Sequence, residues 1–117
     1  MSASEKRYAV ADFAEIVPVP CPCGMSRRAF LAESEGRASF HVVEIRKDAR
    51  KHYHRSHMEI YYVLEGAGTL EADNETIPLS PGKSVLIKEF CRHRAVGNLK
   101  IVNVSIPSFD PEDEWFD

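Results

Sequence analysis

The sequence predicts an all-β chain closed into a small sandwich or barrel. Short apolar and β-branched segments recur from Phe40 onward. Turn residues separate them at close spacing, and no stretch there holds a helical period. With 117 residues, 44% hydrophobic and 28% charged, the chain has the size and composition of one globular domain.

Taken in order, residues 10–16 read as a short helical turn. Pro18, Pro20 and Pro22 interrupt regular structure, so the chain through Cys23 reads as an extended arm over the domain. Residues 27–32 form a candidate additional strand. Residues 40–46 are a strand, and residues 59–65, Glu-Ile-Tyr-Tyr-Val-Leu-Glu, are the strongest one. Gly66-Ala67-Gly68 reads as a turn before a return strand at 69–72. Asp73-Asn74-Glu75 turns again into 76–79, and Ser80-Pro81-Gly82-Lys83 leads into 84–88. Residues 94–96 and 99–106, split at Gly97-Asn98, complete the set. The expected organisation is residues 1–39 as N-terminal arm and accessory strand, 40–106 as barrel and 107–117 as acidic tail, one domain overall.

A net charge of −3 gives no electrostatic case for nucleic acid. No apolar run approaches the roughly 20 residues that span a bilayer, and the first ten residues lack a signal-peptide core, so the cytoplasm is the expected compartment. Three cysteines, Cys21, Cys23 and Cys91, read as reduced thiols. Cys21-Pro22-Cys23 lacks the Cys-x2-Cys spacing of a redox or zinc pair. Basic residues cluster at Arg46, Lys47, Arg50, Lys51 and Arg55. Asp110, Glu112, Asp113, Glu114 and Asp117 make the tail acidic. Both segments read as solvated.

His52, His54, Glu59 and His93 are the residues that carry chemistry. In a strand, residues i and i+2 share a face, so His52 and His54 point together, as do His57 and Glu59 across a bend at Arg55-Ser56. A closed barrel is what brings His93 to the same interior. Three imidazoles and a carboxylate suit a divalent transition metal, among them iron, manganese, nickel and zinc. His57 is open to several roles: hydrogen-bond partner, acid–base group, alternative ligand or exposed loop residue. Tyr61, two residues after Glu59, faces the same interior as a candidate substrate contact or a buried core tyrosine. Cys91 reads as a nearby unligated thiol. Arg27 and Arg28 read as surface charge, or as anion contacts if their strand borders the barrel mouth.

The string His52-x-His54-x4-Glu59-x6-Gly66 resembles the first motif of the cupin superfamily (G-x5-H-x-H-x3/4-E-x6-G), with Arg46 in place of the leading glycine. The second motif, G-x5-P-x-G-x2-H-x3-N, aligns on Gly82 and His93. Lys88 and Phe90 replace its proline and second glycine, and Asn98 lies one residue beyond its asparagine. This resemblance covers residues 40–106. It implies a jelly-roll β-barrel (double-stranded β-helix), metal ligation by His52, His54, Glu59 and His93, a small-molecule ligand or substrate, and a homodimer. It further implies a metal-dependent enzyme of oxygenase type on a small polar or carboxylated molecule. An isomerase or lyase using His57 or Tyr61, and a ligand binder without turnover, are the alternatives.

Overall fold

The computed structural model describes residues 6–21, 24–46 and 50–117. Among them are seven strands and no helix: β1 (Val19–Cys21), β2 (Gly24–Ala29), β3 (Ser39–Ile45), β4 (Met58–Ala72), β5 (Glu75–Leu79), β6 (Ser84–Ile87) and β7 (His93–Ile106). All pair antiparallel in the order β1-β2-β3-β7-β4-β5, with β6 on β4 beside this path. The architecture is the expected all-β barrel of jelly-roll type.

Strand β3 shows why the sheet closes around one interior. Its side chains alternate between buried and half-buried from Ser39 to Ile45, so one face enters the core. Val43, Ile45, Val63, Leu70, Leu79, Ile87, Leu99 and Ile101 form that core. Fully burying each such aliphatic contributes about 1.5–3 kcal/mol. The same inner face changes character further along the strands. There it buries Ser39, His41, His54, His57, Glu59, His93 and Ser105. Buried polar groups need partners, so this end of the barrel is where a site belongs.

Three expectations are corrected. Gly66-Ala67-Gly68 is no turn: β4 runs unbroken for 15 residues and pairs with β7 across Gly68↔Gly97. These glycines allow close backbone approach instead. A Cβ at Gly66 would strike the Asn98 carbonyl, and one at Gly68 the Val96 carbonyl. For the same reason β7 is continuous where a break at Gly97-Asn98 was expected. Residues 10–16 contain the single turn expected there, closed by Glu15 N–H to the Asp12 carbonyl. The arm is partly a strand: β1 includes Pro20 and pairs with β2 at the sheet edge, where a missing N–H is tolerated. Pro22, Cys23 and Lys47 lie outside the described residues.

The accessory strand is present as β2 and ends where Phe30 turns to φ 70°. The Lys88–Arg92 turn keeps a left-handed residue where the cupin motif has glycine, because Phe90 itself adopts φ 70°. Its N–H donates to the His54 carbonyl at 2.8 Å, and its ring stacks on Tyr53. A hydrogen bond and a packed ring thus offset the cost of that conformation.

Candidate metal centre

His52, His54, Glu59 and His93 converge. One ligand-type atom from each lies within 4.8 Å of all the others. The local chain explains how. His52 pairs with His93 as an isolated bridge, with N–H to carbonyl bonds of 3.1 and 2.8 Å in the two directions. This short pairing joins the loop before β4 to the start of β7. Glu59 follows on β4, after the bend at Arg55-Ser56.

Each of the three imidazoles is held by a backbone carbonyl at its Nδ1: Arg50 for His52 at 3.1 Å, Asp113 for His54 at 2.6 Å and Cys91 for His93 at 2.8 Å. A carbonyl only accepts, so each Nδ1 carries the proton and each neutral ring keeps its Nε2 lone pair. Two of those nitrogens face Glu59 Oε1: His54 Nε2 at 3.0 Å and His93 Nε2 at 3.3 Å. All three atoms are buried without a hydrogen-bond partner among the described residues. Lone pairs facing a carboxylate repel unless a cation, either a proton or a metal ion, sits among them. The donor set fits a divalent transition ion on this observation, and the group could hold one.

The electrostatics agree. Burial opposes ionisation of Glu59, but positive charge at the adjoining His54 and His93 nitrogens outweighs it and holds the carboxyl well below its usual range, the same demand for a cation among these atoms. Burial, then the neighbouring His93, lowers His52 to about 4. For His54 burial also disfavours charge, yet Glu59 wins and raises it.

The remaining candidates divide. His57 is buried, and its Nδ1 donates to Asp113 Oδ2 at 2.9 Å. Its ring lies 4.0 Å from that of His54, centroid to centroid. It stands behind a ligand-type residue and is absent from the lining of the adjoining cavity. That cavity, about 70 Å³, has His52, Glu59, Tyr61, Asn103, Arg28 and Glu114 among its lining residues. Tyr61 belongs both to the buried core and to the cavity wall. Cys91 is outside the converging group, and burial raises its thiol pKa.

The acidic tail is the principal correction. It is not solvated. The Asp113 carboxylate accepts from Arg55 N–H and Ser56 N–H at 2.9 Å each, from His57, and from Trp115 Nε1 at 3.0 Å. Trp115 pairs with Tyr53 through two backbone bonds, and the Arg55 guanidinium lies 3.7 Å from the Trp115 ring centroid. Glu114 Oε1 reaches within 3.7 Å of His52 Nε2. Sequence reasoning missed Asp113 and Glu114, and with them Asn103, whose amide donates to Glu59 Oε2 at 2.6 Å. The only signal for the tail was the aromatic pair Trp115-Phe116 amid acidic residues.

Comparison with known proteins adds the family. The cupin domain model matches residues 38–104. L-ectoine synthase of Mycobacterium sp. (strain KMS) is 40% identical over 73 residues, 59% of this chain and 56% of that protein. An uncharacterised protein of Methanocaldococcus jannaschii is 34% identical over 76 residues, 62% of this chain and 61% of its own. The chain thus spans about three fifths of the length of these curated relatives. A crystal structure of a protein from Planctomyces limnophilus superposes with a TM-score of 0.89 at 40% identity, covering 97% of this chain and 100% of that one. The ectoine synthase structure from P. lautus superposes at 0.78 with 23% identity over 92% and 88%, a likeness of fold alone. The match at residues 38–104 takes in more than half the sequence and all four converging residues, and the chain belongs to the cupin family.

Proposed function

We propose that this cupin is a metal-dependent enzyme acting on a small polar or carboxylated molecule. His52, His54, Glu59 and His93 are its ligands, and iron, manganese, nickel and zinc are the ions the donor set admits. The observation that carries this reading is the common tautomer of the three imidazoles, each fixed through Nδ1 so that Nε2 is free for the ion. The ion would supply Lewis acidity, or redox chemistry with dioxygen if it is iron.

Of the two enzymatic readings, the non-redox one, an isomerase, lyase or synthase, has the wider support. Groups able to exchange protons, Tyr61 and Glu114, line the cavity beside the four ligands. The relatives include proteins named L-ectoine synthase. In this reading Tyr61 and Glu114 contact the substrate, and His57 is a positioning residue that packs on His54 and ties it to Asp113. The oxygenase reading rests on the ligand set alone.

A homodimer in the cytoplasm completes the proposal. Tyr62 and Leu64 of β4 and Leu86 of β6 form an exposed apolar band on the outer face, and Val10 and Val17 of the arm are exposed beside a chain segment that docks Phe13 on Phe40. Covering such a band is the usual role of a second subunit. No described helix is long and apolar enough to cross a membrane.

The deciding experiment is elemental analysis of untagged protein beside His52→Ala. Stoichiometric metal lost in the variant supports the ligand set, and equal metal in both removes it. Oxygen uptake by the iron-loaded protein over a substrate panel would restore the oxygenase reading. Sedimentation as a monomer at micromolar concentration would end the dimer.

A further inference from the structure

Besides Glu59 Oε1, two buried polar atoms on residues lining the cavity beside the four converging residues have no hydrogen-bond partner among the described residues: Arg28 Nε and Asn103 Oδ1. Neither belongs to the ligand set. Register places their residues in one row across the inner face. Arg28 of β2 pairs with His41 of β3, His41 with Asn103 of β7, and Asn103 with Tyr61 of β4. Alternation sends all four side chains toward the interior.

Both orphans have a fixed sense. Asn103 must present its NH2 to Glu59 Oε2, since a carboxylate only accepts. Its Oδ1 is therefore left as an acceptor in need of a donor. Arg28 is always a cation and only donates. Its guanidinium lies 4.6 Å from the Phe109 ring centroid, and Phe109 is anchored by its N–H to Ser39 Oγ at 2.9 Å. No described carboxylate forms an ion pair with Arg28, although Glu114 shares the cavity. Arg28 is half-buried, but its buried Nε lacks an acceptor and the buried Asn103 Oδ1 lacks a donor among the described residues; each is costly, so a natural occupant would satisfy both.

We infer that this cavity takes a small carboxylate bearing a neighbouring hydroxyl or amino group, the carboxylate on Arg28 and the donor on Asn103 Oδ1. The volume of about 70 Å³ restricts the occupant to a few carbons at this end of the site. Charge agrees. A divalent ion and Arg28 bring three positive charges against two negative ones from Glu59 and Glu114, and one carboxylate balances them. The inference names the substrate class for the proposed metal centre and rests on that reading for the ion alone, since Arg28 and Asn103 are in place without it.

Calorimetric titration with three probes tests it: lactate, propionate, which lacks the donor, and lactamide, which lacks the charge. Metal-loaded and chelator-treated proteins are titrated alike, with metal content measured in each. Lactate should bind at least about tenfold tighter than lactamide, and several-fold tighter than propionate. Arg28→Gln should remove the advantage over lactamide and keep that over propionate, at unchanged metal content. Arg28→Lys, which keeps a charge, should retain part of it. Equal binding of lactate and lactamide by the wild type, or a full advantage surviving in Arg28→Gln, overturns the role of Arg28. Equal binding of lactate and propionate overturns that of Asn103. If Arg28→Gln does not fold, Arg28→Lys and the three-probe comparison on the wild type decide alone. A preference for lactate in protein that takes up no metal leaves this subsite standing and ends the metal reading. Stoichiometric metal with no preference ends the subsite alone.

Discussion

Residues 52–59 and residues 107–117 build the same site from opposite sides, and they did so from different kinds of information. The first segment presents His52, His54 and Glu59 through local rules: alternation, a bend at Arg55-Ser56 and entry into β4. The second has no periodicity, yet its Asp113 carbonyl orients His54 and its Asp113 carboxylate pins the backbone of the bend. Ligand-type residues are thus set by short-range pattern. The groups that aim them come from wherever the chain returns.

The largest effect should come from the first segment. Glu59→Gln keeps the shape and hydrogen-bonding reach of the side chain but removes the charge between His54 Nε2 and His93 Nε2. Metal affinity should fall at least about a hundredfold, measured by competition with a chromogenic chelator. Undiminished affinity would show that the four residues do not act as one set. Asp113→Ala is the matching change in the second segment. It leaves the buried His57 ring and the part-buried amides of Arg55 and Ser56 without their acceptor. Stability in urea should drop by roughly 3–4 kcal/mol, and metal affinity by about tenfold or more. If stability falls while affinity holds, the tail braces the fold and has no hold on the ligands.

How far each part could be read from sequence follows the same division. The inner face of β3, the strand after Glu59 and the shared facing of His52 and His54 rest on period-two alternation, which short windows reveal, whereas His93 joins them only through closure of the barrel. Gly66-Ala67-Gly68 and Gly97-Asn98 misled because glycine signals either a turn or close approach of two backbones. Only the pairing of β4 with β7 tells which. Pro20 misled because an edge strand tolerates what a central strand does not. Asp113 and Glu114 look like any solvated acidic run until Tyr53 is known to pair with Trp115. Arg28 and Asn103 become neighbours of the site only once the order β2-β3-β7-β4 is known.

The apolar end of the tail gives a pH-dependent contrast. Phe109 packs edge-on against the buried His41 ring at 5.6 Å between centroids, while Ser39 Oγ holds His41 Nε2 at 2.7 Å. Burial, and then the Arg28 charge, lowers His41 from 6.5 to about 4. In the unfolded chain this imidazole takes up its proton near pH 6.5, and in the folded protein only near pH 4. Between these values the unfolded state binds more protons, so stability falls as pH falls, and the loss is complete near pH 4. The wild type should lose about 3 kcal/mol more than His41→Gln on going from pH 7 to pH 4. Phe109→Ala should reduce that difference by letting water reach the ring. Parallel pH profiles for wild type and His41→Gln would mean that His41 titrates normally.

The smallest change separates the two grips the tail has on the bend. Trp115→Phe keeps a ring beneath the Arg55 guanidinium and keeps the backbone pairing with Tyr53. It removes only the Nε1 hydrogen bond to Asp113 Oδ1, an oxygen that still accepts from Arg55 N–H. A charged acceptor that retains its other donors loses little, so the cost should be about 1 kcal/mol in urea, with metal content unchanged. Trp115→Ala removes the ring as well and should cost more without touching the metal, because His54 takes its orientation from the Asp113 carbonyl and not from the indole. Should Trp115→Phe weaken metal binding as much as Asp113→Ala does, the indole would be what keeps that carbonyl in place, and the tail would act as one rigid clasp rather than as two separable contacts.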